Sequence, residues 1–334
     1  MRSTASPIAI WAGILTLWVV WGTTYLGIRL AVDTIPPFIM VAVRFGTAGL
    51  LLVAFVALRE RGALRPPTRV ELRDSLILGA LLVAIGNGLV GFGEQTIATG
   101  VAALFIALMP AWAAALARII FGERLPTLAI FGIVIGIVGI AILSWPVEGQ
   151  IALDPVGLVA LLLAPIGWAL GSLYSQKRAV LPRQPLLATG YQMIGGALVG
   201  LVIAALSGEL ATFQPAAVTD RSILAIVYLT VVGSLIGYTT YGWLLRFAPI
   251  SRVTTYAYVN PIVAVVLGAI ILNEPISPRT VVASIVIIVA VALIVTARTR
   301  GVHVRQAPAG APITAPPAPA EPRTDRAPSP SVSD

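Results

Sequence analysis

Two stretches of the chain share a pattern that decides how its fold is interpreted. Residues 109–124 read MPAWAAALARIIFGER, and residues 260–275 read NPIVAVVLGAIILNEP. In each stretch the second residue is a proline, and a glutamate follows it thirteen residues later across a mostly apolar run. Each stretch leads directly into another apolar segment. The doubled spacing indicates that the chain contains an internal repeat.

The composition of the whole chain excludes a water-soluble protein. Hydrophobic residues make up 58% of its 334 residues and charged residues only 11%, whereas about 25% of residues are charged in soluble domains. A single soluble core stops growing at about 250–300 residues, so it could not absorb this much apolar material. The sequence therefore predicts an all-α integral membrane protein whose solvent is the lipid bilayer.

Ten segments are apolar and long enough to cross a bilayer as helices. A crossing helix needs about 20 mostly apolar residues. The ten predicted spans are residues 8–30, 36–58, 75–93, 97–121, 127–145, 155–175, 186–207, 222–245, 250–272 and 279–297. The first is longer than the apolar part of a signal peptide and no small-residue cleavage site follows it, so we expect it to be retained.

The distribution of basic residues predicts the orientation. Lys and Arg are enriched in the cytoplasmic loops of membrane proteins. If the N-terminus lies inside the cell, 18 of the 22 basic residues fall on the cytoplasmic side. We therefore expect a multi-pass protein of the inner or plasma membrane with both termini in the cytoplasm. The net charge of +8 then belongs to a basic fringe that faces anionic lipids, and no nucleic-acid partner is expected.

The repeat divides the chain into two halves of five spans each. The first half covers residues 1–149 and the second covers residues 150–300, and the weaker match of Trp21 with Trp168 pairs the first and sixth spans. Because five is an odd number, the second half lies upside down relative to the first. Inverted repeats are typical of secondary transporters, which bind substrate near the bilayer midplane. The Pro- and Ala-rich segment 301–334 is predicted to be a disordered cytoplasmic tail.

Several short motifs occur along the chain in a fixed order. They are WGTTY at 21–25, PPF at 36–38 followed by Arg44-Phe45, and the two proline-to-glutamate stretches that end in Gly122-Glu123-Arg124 and Asn273-Glu274-Pro275. This order resembles that of the EamA-like transporters of the drug/metabolite transporter superfamily, over about residues 8–297. The resemblance implies a ten-helix fold with a cavity lined mainly by spans 1, 3, 4, 6, 8 and 9. It also implies alternating access, and many relatives export amino acids or other metabolites.

Arg44 is the sharpest candidate for substrate binding. It lies about nine residues into its span, about 13 Å deep and so near the bilayer centre. A cation at that depth is costly and should face the protein interior or a water-filled cavity. One alternative is that Arg44 binds the carboxylate or phosphate of a substrate. The second is a structural role, in which it binds backbone carbonyls or extends its charged group to the membrane surface. The resemblance favours the second alternative, because it places the second span outside the cavity lining.

Polar and aromatic residues on other spans complete the candidate site. Asn87 lies in the glycine-rich third span, Tyr238 and Tyr241 share a face of the eighth span, and Tyr256 and Asn260 lie in the ninth. Such groups orient small ligands in mostly apolar pockets. The alternatives are hydrogen bonds between helices for the amides and hydroxyls, and tyrosines at the membrane interface.

Further residues have a structural and a functional interpretation. Trp21, Tyr25 and Trp168 either line the cavity or pack the paired first and sixth spans. Pro110 and Pro261 each remove one helical hydrogen bond, which predicts a static kink in each helix and, less strongly, a gating hinge.

The three glutamates near span ends are expected to be structural. Glu123 and Glu274 should cap helices or form ion pairs at the membrane edge. Glu94, at the outer mouth, should be an ordinary solvated charge, and the alternative is that it attracts cations.

The residue inventory excludes several mechanisms. The chain has no cysteine and one histidine, His303, so no thiolate or histidine metal site and no cofactor is predicted. It has no glycine-rich Lys-Ser/Thr nucleotide loop, and no Asp or Glu lies in the middle of a span. The sequence therefore predicts a carrier for a small polar metabolite that is facilitative or only weakly coupled. A multidrug or other solute permease, a membrane-embedded enzyme and a channel are the alternatives.

Overall fold

The structure is a bundle of ten long helices. The computed structural model describes residues 6–60, 65–145, 154–248 and 250–305, and within these ranges it contains no strand. The crossing helices are α1 (Pro7–Ala31), α2 (Pro37–Arg59), α3 (Arg69–Glu94), α4 (Thr99–Phe121), α5 (Thr127–Ser144), α6 (Pro155–Lys177), α7 (Pro185–Leu206), α8 (220–247), α9 (250–272) and α10 (Pro278–Arg305). Among the described residues, nine are long and apolar enough to span a membrane, and α9 is shorter. The predicted ten-helix membrane fold is confirmed.

Two helices extend beyond the spans predicted from hydropathy. The third begins at Arg69 instead of residue 75, because Thr68 and Glu71 form a reciprocal capping box that starts it in a polar segment. The last helix continues to Arg305, so the first residues of the segment predicted to be disordered are helical. The rest of that tail lies outside the described residues.

The two proline-to-glutamate stretches end their helices with the same backbone geometry. Gly122 after α4 has φ 66°, and Asn273 after α9 has φ 55°, so both lie in the left-handed region that closes a helix. In each case the next backbone N–H, that of Glu123 or Glu274, donates to a carbonyl six residues earlier. This shared ending supports the repeat, which stays a prediction.

Four helices are irregular, and they occupy matching places in the two predicted halves. The third helix contains a π-helical stretch at Gly79–Ile85, and the eighth contains one at Leu229–Ile236. The fourth is interrupted at Leu108, and the ninth is interrupted at Thr254 and Thr255. π-helical turns occur frequently at functional sites. The space between these helices is therefore a candidate functional site.

Small residues allow the helices to approach one another closely, as they do in many membrane proteins. A methyl group added at Gly49 of α2 would lie 2.8 Å from the carbonyl oxygen of Gly190 in α7. One added at Gly139 of α5 would lie 2.6 Å from the side chain of Ile287 in α10. Glycines therefore allow close packing of α2 on α7 and of α5 on α10. In each pair the two helices hold the same place in the two predicted halves.

One end of the bundle, here called the Glu209 end, carries the connections α1–α2, α3–α4, α7–α8 and α9–α10. There the Glu209 carboxylate accepts hydrogen bonds from the backbone N–H groups of Phe38 and Ile39, at 3.0 and 3.1 Å, at the start of α2. Burial raises the pKa of Glu209 above its ordinary value, although the two N–H donors oppose that effect. The side chain therefore ties the α7–α8 connection to another helix.

A second pair of contacts closes the same end. The Thr96 hydroxyl donates to Asp154 at 2.9 Å, and the backbone N–H of Gly157 donates to the same carboxylate oxygen at 2.9 Å. These hydrogen bonds, that of Gly157 first, lower the pKa of Asp154 below its ordinary value. Asp154 thus caps α6 and at the same time holds the α3–α4 turn.

The opposite end, here called the Asp74 end, is closed by a different set of polar contacts. The Asp74 carboxylate accepts from the backbone N–H of Val180 at 2.7 Å and from the Tyr174 hydroxyl at 2.9 Å. Lys177 forms an ion pair of 2.7 Å with Glu123. The described part of the bundle is therefore tied by polar contacts at both ends.

Candidate substrate site

An aromatic cluster joins α1, α8 and α9 in the interior of the bundle. The Trp21 ring centroid lies 4.8 Å from that of Tyr256, 5.3 Å from that of Tyr241 and 5.7 Å from that of Tyr238. Tyr241 and Tyr256 are themselves 6.2 Å apart in an edge-to-face arrangement. The structure thus brings together four residues that the sequence proposed separately. These four residues are called the aromatic cluster below.

Arg44 is buried beside α8. Its side chain is 2% exposed, its Nε donates to the Ser234 hydroxyl at 3.0 Å, and its guanidinium carbon lies 4.4 Å from the Phe45 ring centroid. Its Nη1 has no hydrogen-bond partner. Within the part of the chain that the structure describes, no carboxylate lies within ion-pair distance of it. A buried guanidinium with an unused donor is available to an anionic group.

The π-helical stretch of α8 connects Arg44 to the aromatic cluster. Gly233 and Ser234 belong to that stretch, and the Gly233 carbonyl faces the Trp21 indole N–H at 3.4 Å. Tyr238, on the following turn, lies within electrostatic range of Arg44 and beside the Asn87 amide. The resemblance implied that the second span lies outside the cavity lining. Arg44 nevertheless reaches the α8 face on which the cluster is built.

Asn87 is oriented by its own helix. It is 9% exposed, and its Nδ2 donates to the Leu82 carbonyl at 3.0 Å, inside the π-helical stretch of α3. A π-helical turn displaces carbonyls from the regular hydrogen-bond ladder, and the amide satisfies one of them. Asn87 therefore combines a structural bond with a position beside Tyr238, so both alternatives raised by the sequence have support.

Trp168 and Tyr25 lie outside the aromatic cluster as defined here. Trp168 packs against α3, where a methyl group added at Gly86 would clash with its indole ring. Tyr25 is half-buried one turn beyond Trp21 on α1, within electrostatic range of Tyr256 on one side and Glu94 on the other. Trp168 has a clear packing role, whereas Tyr25 connects two buried polar regions.

Asn260 is engaged by main-chain carbonyls. It is 6% exposed, and with its amide oriented to donate, Nδ2 lies 3.1 Å from Tyr256 O and 3.3 Å from Trp18 O. The Trp18 indole N–H donates in turn to the Thr255 hydroxyl at 3.0 Å. These bonds hold α9 against α1 across its interruption. The assignment of Asn260 to the substrate stays a prediction.

The two prolines stand in different relations to the helix interruptions. Pro110 lies two residues after the break at Leu108, in the first turn of the following helical segment. Pro261 lies inside a continuous helical segment, six residues after the break at Thr255. The interruption in α4 thus coincides with its proline and that in α9 does not. The hinge role of either proline stays a prediction.

The structure confirms the structural roles of two glutamates and overturns that of a third. Glu274 accepts from the backbone N–H of Thr99 at 2.9 Å and of Gly100 at 3.4 Å, so it caps α4, and Glu123 is ion-paired. The expectation that Glu94 is a solvated charge is wrong. Its side chain is 0% exposed, and neither carboxyl oxygen has a hydrogen-bond partner, because the tight α3–α4 hairpin turns it inward.

Comparison with known proteins identifies the family. A model of the EamA-like transporter family matches residues 8–145 and again residues 155–296. The chain belongs to the EamA-like transporter family. It is 36% identical over 288 residues, 86% of this chain and 90% of the other, to the uncharacterized inner membrane transporter YedA of Escherichia coli (strain K12).

Two further similarities define what this EamA-like protein shares with known proteins. It is 27% identical over 264 residues to a protein of Salmonella typhimurium named "Probable amino-acid metabolite efflux pump". The aligned region covers 77% of this chain and 84% of that protein. A solved structure titled "Crystal structure of protein" matches with a TM-score of 0.59 at 19% identity, covering 89% of this chain and 99% of that chain; this similarity shows the fold alone. The chain is therefore a multi-pass inner-membrane transporter for a small molecule and not an enzyme.

Proposed function

We propose that this EamA-like transporter is a secondary carrier that exports an amino acid or a closely related metabolite by alternating access. The observation that supports this most strongly is the buried Arg44 guanidinium, which has an unused Nη1 donor beside the π-helical stretch of α8. A buried cation without a fixed counter-ion is unfavourable. An anionic group on the substrate would relieve that cost on binding.

The chemistry around Arg44 fits a zwitterion. Its free guanidinium edge suits a carboxylate, which arginine recognises with defined geometry. The rings of Trp21, Tyr241 and Tyr256 pack against one another, Trp21 contacts the α8 stretch that also binds Arg44, and aromatic faces attract an ammonium group. A substrate with both groups would use both features. A purely cationic drug would meet the repulsion of Arg44, so we disfavour a multidrug permease.

We further infer that two inverted halves produce the two access states. This inference draws support from the double match of the family model, the paired π-helical stretches and the identical ends of α4 and α9. The basic residues cluster at the Asp74 end, for example Arg59 and Arg73, which favours that end as the cytoplasmic one. Export would then proceed from the Asp74 end to the Glu209 end.

Counterflow in proteoliposomes tests the proposal. Vesicles that contain the purified full chain would be preloaded with one unlabelled compound and exposed to the same labelled compound. The compounds would be amino acids, nucleosides, sugars and cationic dyes. We expect saturable counterflow of at least one amino acid in wild-type vesicles and none in empty vesicles. Counterflow restricted to cationic dyes would contradict the amino-acid assignment, and uptake without saturation would indicate a channel.

A further inference from the structure

Glu94 is buried in a setting that disfavours its charged form. It is the last residue of α3, it is 0% exposed, and neither of its carboxyl oxygens accepts a hydrogen bond. The C-terminal end of a helix carries partial negative charge, which opposes a carboxylate. Burying a carboxylate without donors is costly, and proton binding removes the cost. The geometry is that of a carboxylic acid that holds its proton in this conformation.

The neighbouring acid has the opposite environment. Glu274 lies within electrostatic range of Glu94, but it accepts two backbone N–H bonds, from Thr99 and Gly100, at the N-terminus of α4. That position stabilises a carboxylate. Glu274 therefore has backbone donors for its carboxylate, whereas the buried oxygens of Glu94 have none, and a group in the second setting is the candidate proton carrier.

The other charged groups that face Glu94 come from α1. Arg29 lies within electrostatic range of it, but the guanidinium is 3.6 Å from Asp33 and partly exposed, so it does not form an ion pair with Glu94. Tyr25, one turn earlier on α1, also interacts electrostatically with Glu94. Among the described residues, the charged groups that act on Glu94 are Glu274 and Arg29, and Tyr25 is the titratable group on which Glu94 acts.

Tyr25 places Glu94 next to the substrate site. It lies within electrostatic range of Tyr256, a member of the aromatic cluster, as well as of Glu94. Trp21, Tyr25 and Arg29 follow one another at intervals of four residues, so they share one face of α1. This face runs from the substrate site to the buried acid. A change of access at the substrate site would therefore alter the surroundings of Glu94.

We propose that Glu94 is a proton-binding site that couples transport to the proton gradient; this rests on the proposed function. When the Glu209 end opens, the carboxylate takes up a proton from the water on that side and is then buried as the carboxylic acid. When the Asp74 end opens, water in the substrate site reaches the acid past Tyr25, its O–H bond breaks and the proton passes to that water, so one proton crosses in the direction opposite to export. The carrier is then proton-coupled, in contrast to the facilitative mechanism that the scarcity of mid-span acids predicted.

Infrared spectroscopy of the full chain in lipid vesicles tests the proton on Glu94 without a substrate. Wild-type protein at neutral pH should show the carbonyl absorption of a protonated carboxylic acid in a dry environment. Glu94→Gln should lose that absorption, and Glu274→Gln should keep it. If wild-type protein lacks the absorption at neutral pH, or if Glu94→Gln retains all of it, the proton site is wrong, whatever the protein transports.

Transport measurements separate the coupling from the proposed function. With a radiolabelled mixture of the protein amino acids, a one-unit pH difference across the vesicle should support an accumulation ratio of up to about tenfold for one coupled proton. Glu94→Gln should retain counterflow and show no accumulation. If wild-type protein shows counterflow but the pH difference drives no accumulation, the coupling is overturned and the carrier proposal stands. Absence of counterflow by wild-type protein would overturn the proposed function and the coupling with it.

Discussion

At the scale of single residues, the proposal that the substrate is an amino acid depends mainly on Arg44. Arg44→Gln removes the charge but keeps a polar side chain, and Arg44→Lys keeps the charge but loses the planar fork. Hydrogen bonds to charged groups contribute about 1.5–3 kcal/mol, so we expect the half-saturating amino-acid concentration to rise about 10- to 100-fold in Arg44→Gln, with a smaller rise in Arg44→Lys. Counterflow at varied substrate concentration measures this.

Ser234→Ala provides the matched control for Arg44. It removes the hydroxyl that accepts from Arg44 Nε and leaves the guanidinium in place. A modest rise in the half-saturating concentration is expected, because the cation remains available to the substrate. Wild-type affinity in both Arg44 variants would refute a substrate contact and leave the cation with a purely structural role.

Gly86 defines the limit of packing between α3 and α6. Gly86→Ala places a methyl group on the Trp168 indole, and overpacking of this kind costs about 1–3 kcal/mol. Gly242→Ala is the control, because a methyl group there meets nothing within 4 Å, and alanine is the better helix former. Thermal unfolding in detergent should show a lower midpoint for Gly86→Ala and an unchanged or higher one for Gly242→Ala. Equal midpoints would contradict this packing.

The sequence predicted several residue positions well and one poorly. The burial of Arg44 and the contact of Tyr238 and Tyr241 with the same Trp21 ring agree with counting along a helix of 3.6 residues per turn. The burial of Glu94 does not follow from such a count. It depends on how α3 and α4 meet at the hairpin, and a shift of one residue in that turn would direct the carboxyl group to water.

At the scale of elements, Glu274 links the end of α9 to the start of α4. Glu274→Gln keeps the size of the side chain but replaces a carboxylate on two N–H groups with a neutral amide. Caps of this kind contribute about 1 kcal/mol, so a lower unfolding midpoint is expected. Asp33→Asn is the control, because its ion pair with Arg29 is 3.6 Å long and exposed, and exposed pairs contribute little. An equal loss in both variants would contradict the cap.

The existence of the helices could be predicted, but their irregularities could not. Ten apolar runs of about 20 residues leave few alternatives in a bilayer, where backbone groups must be satisfied within the segment. The π-helical stretches at Gly79–Ile85 and Leu229–Ile236 are as apolar as their surroundings. Nothing in their composition marks a wider turn, which arises from packing against neighbouring helices and becomes visible only in the structure.

At the scale of the whole molecule, the two tied ends and the buried candidate site between them support the proposed carrier. The Glu209 end is closed by carboxylates on helix N-termini and the Asp74 end by an ion pair and buried hydrogen bonds. A channel would need both ends open at once. Alternating access needs only that one set of contacts breaks while the other holds, with Arg44 and the aromatic cluster reached from each side in turn.

Accessibility of Ser234 from the two sides of the membrane tests this account most directly. The chain has no cysteine, so Ser234→Cys gives a single thiol beside Arg44 on a background without reaction. A membrane-impermeant maleimide would be applied to intact cells and, separately, to inside-out vesicles. We expect labelling from both sides and slower labelling when a transported amino acid is present. Labelling from one side only, or from neither, would contradict a buried site with alternating access.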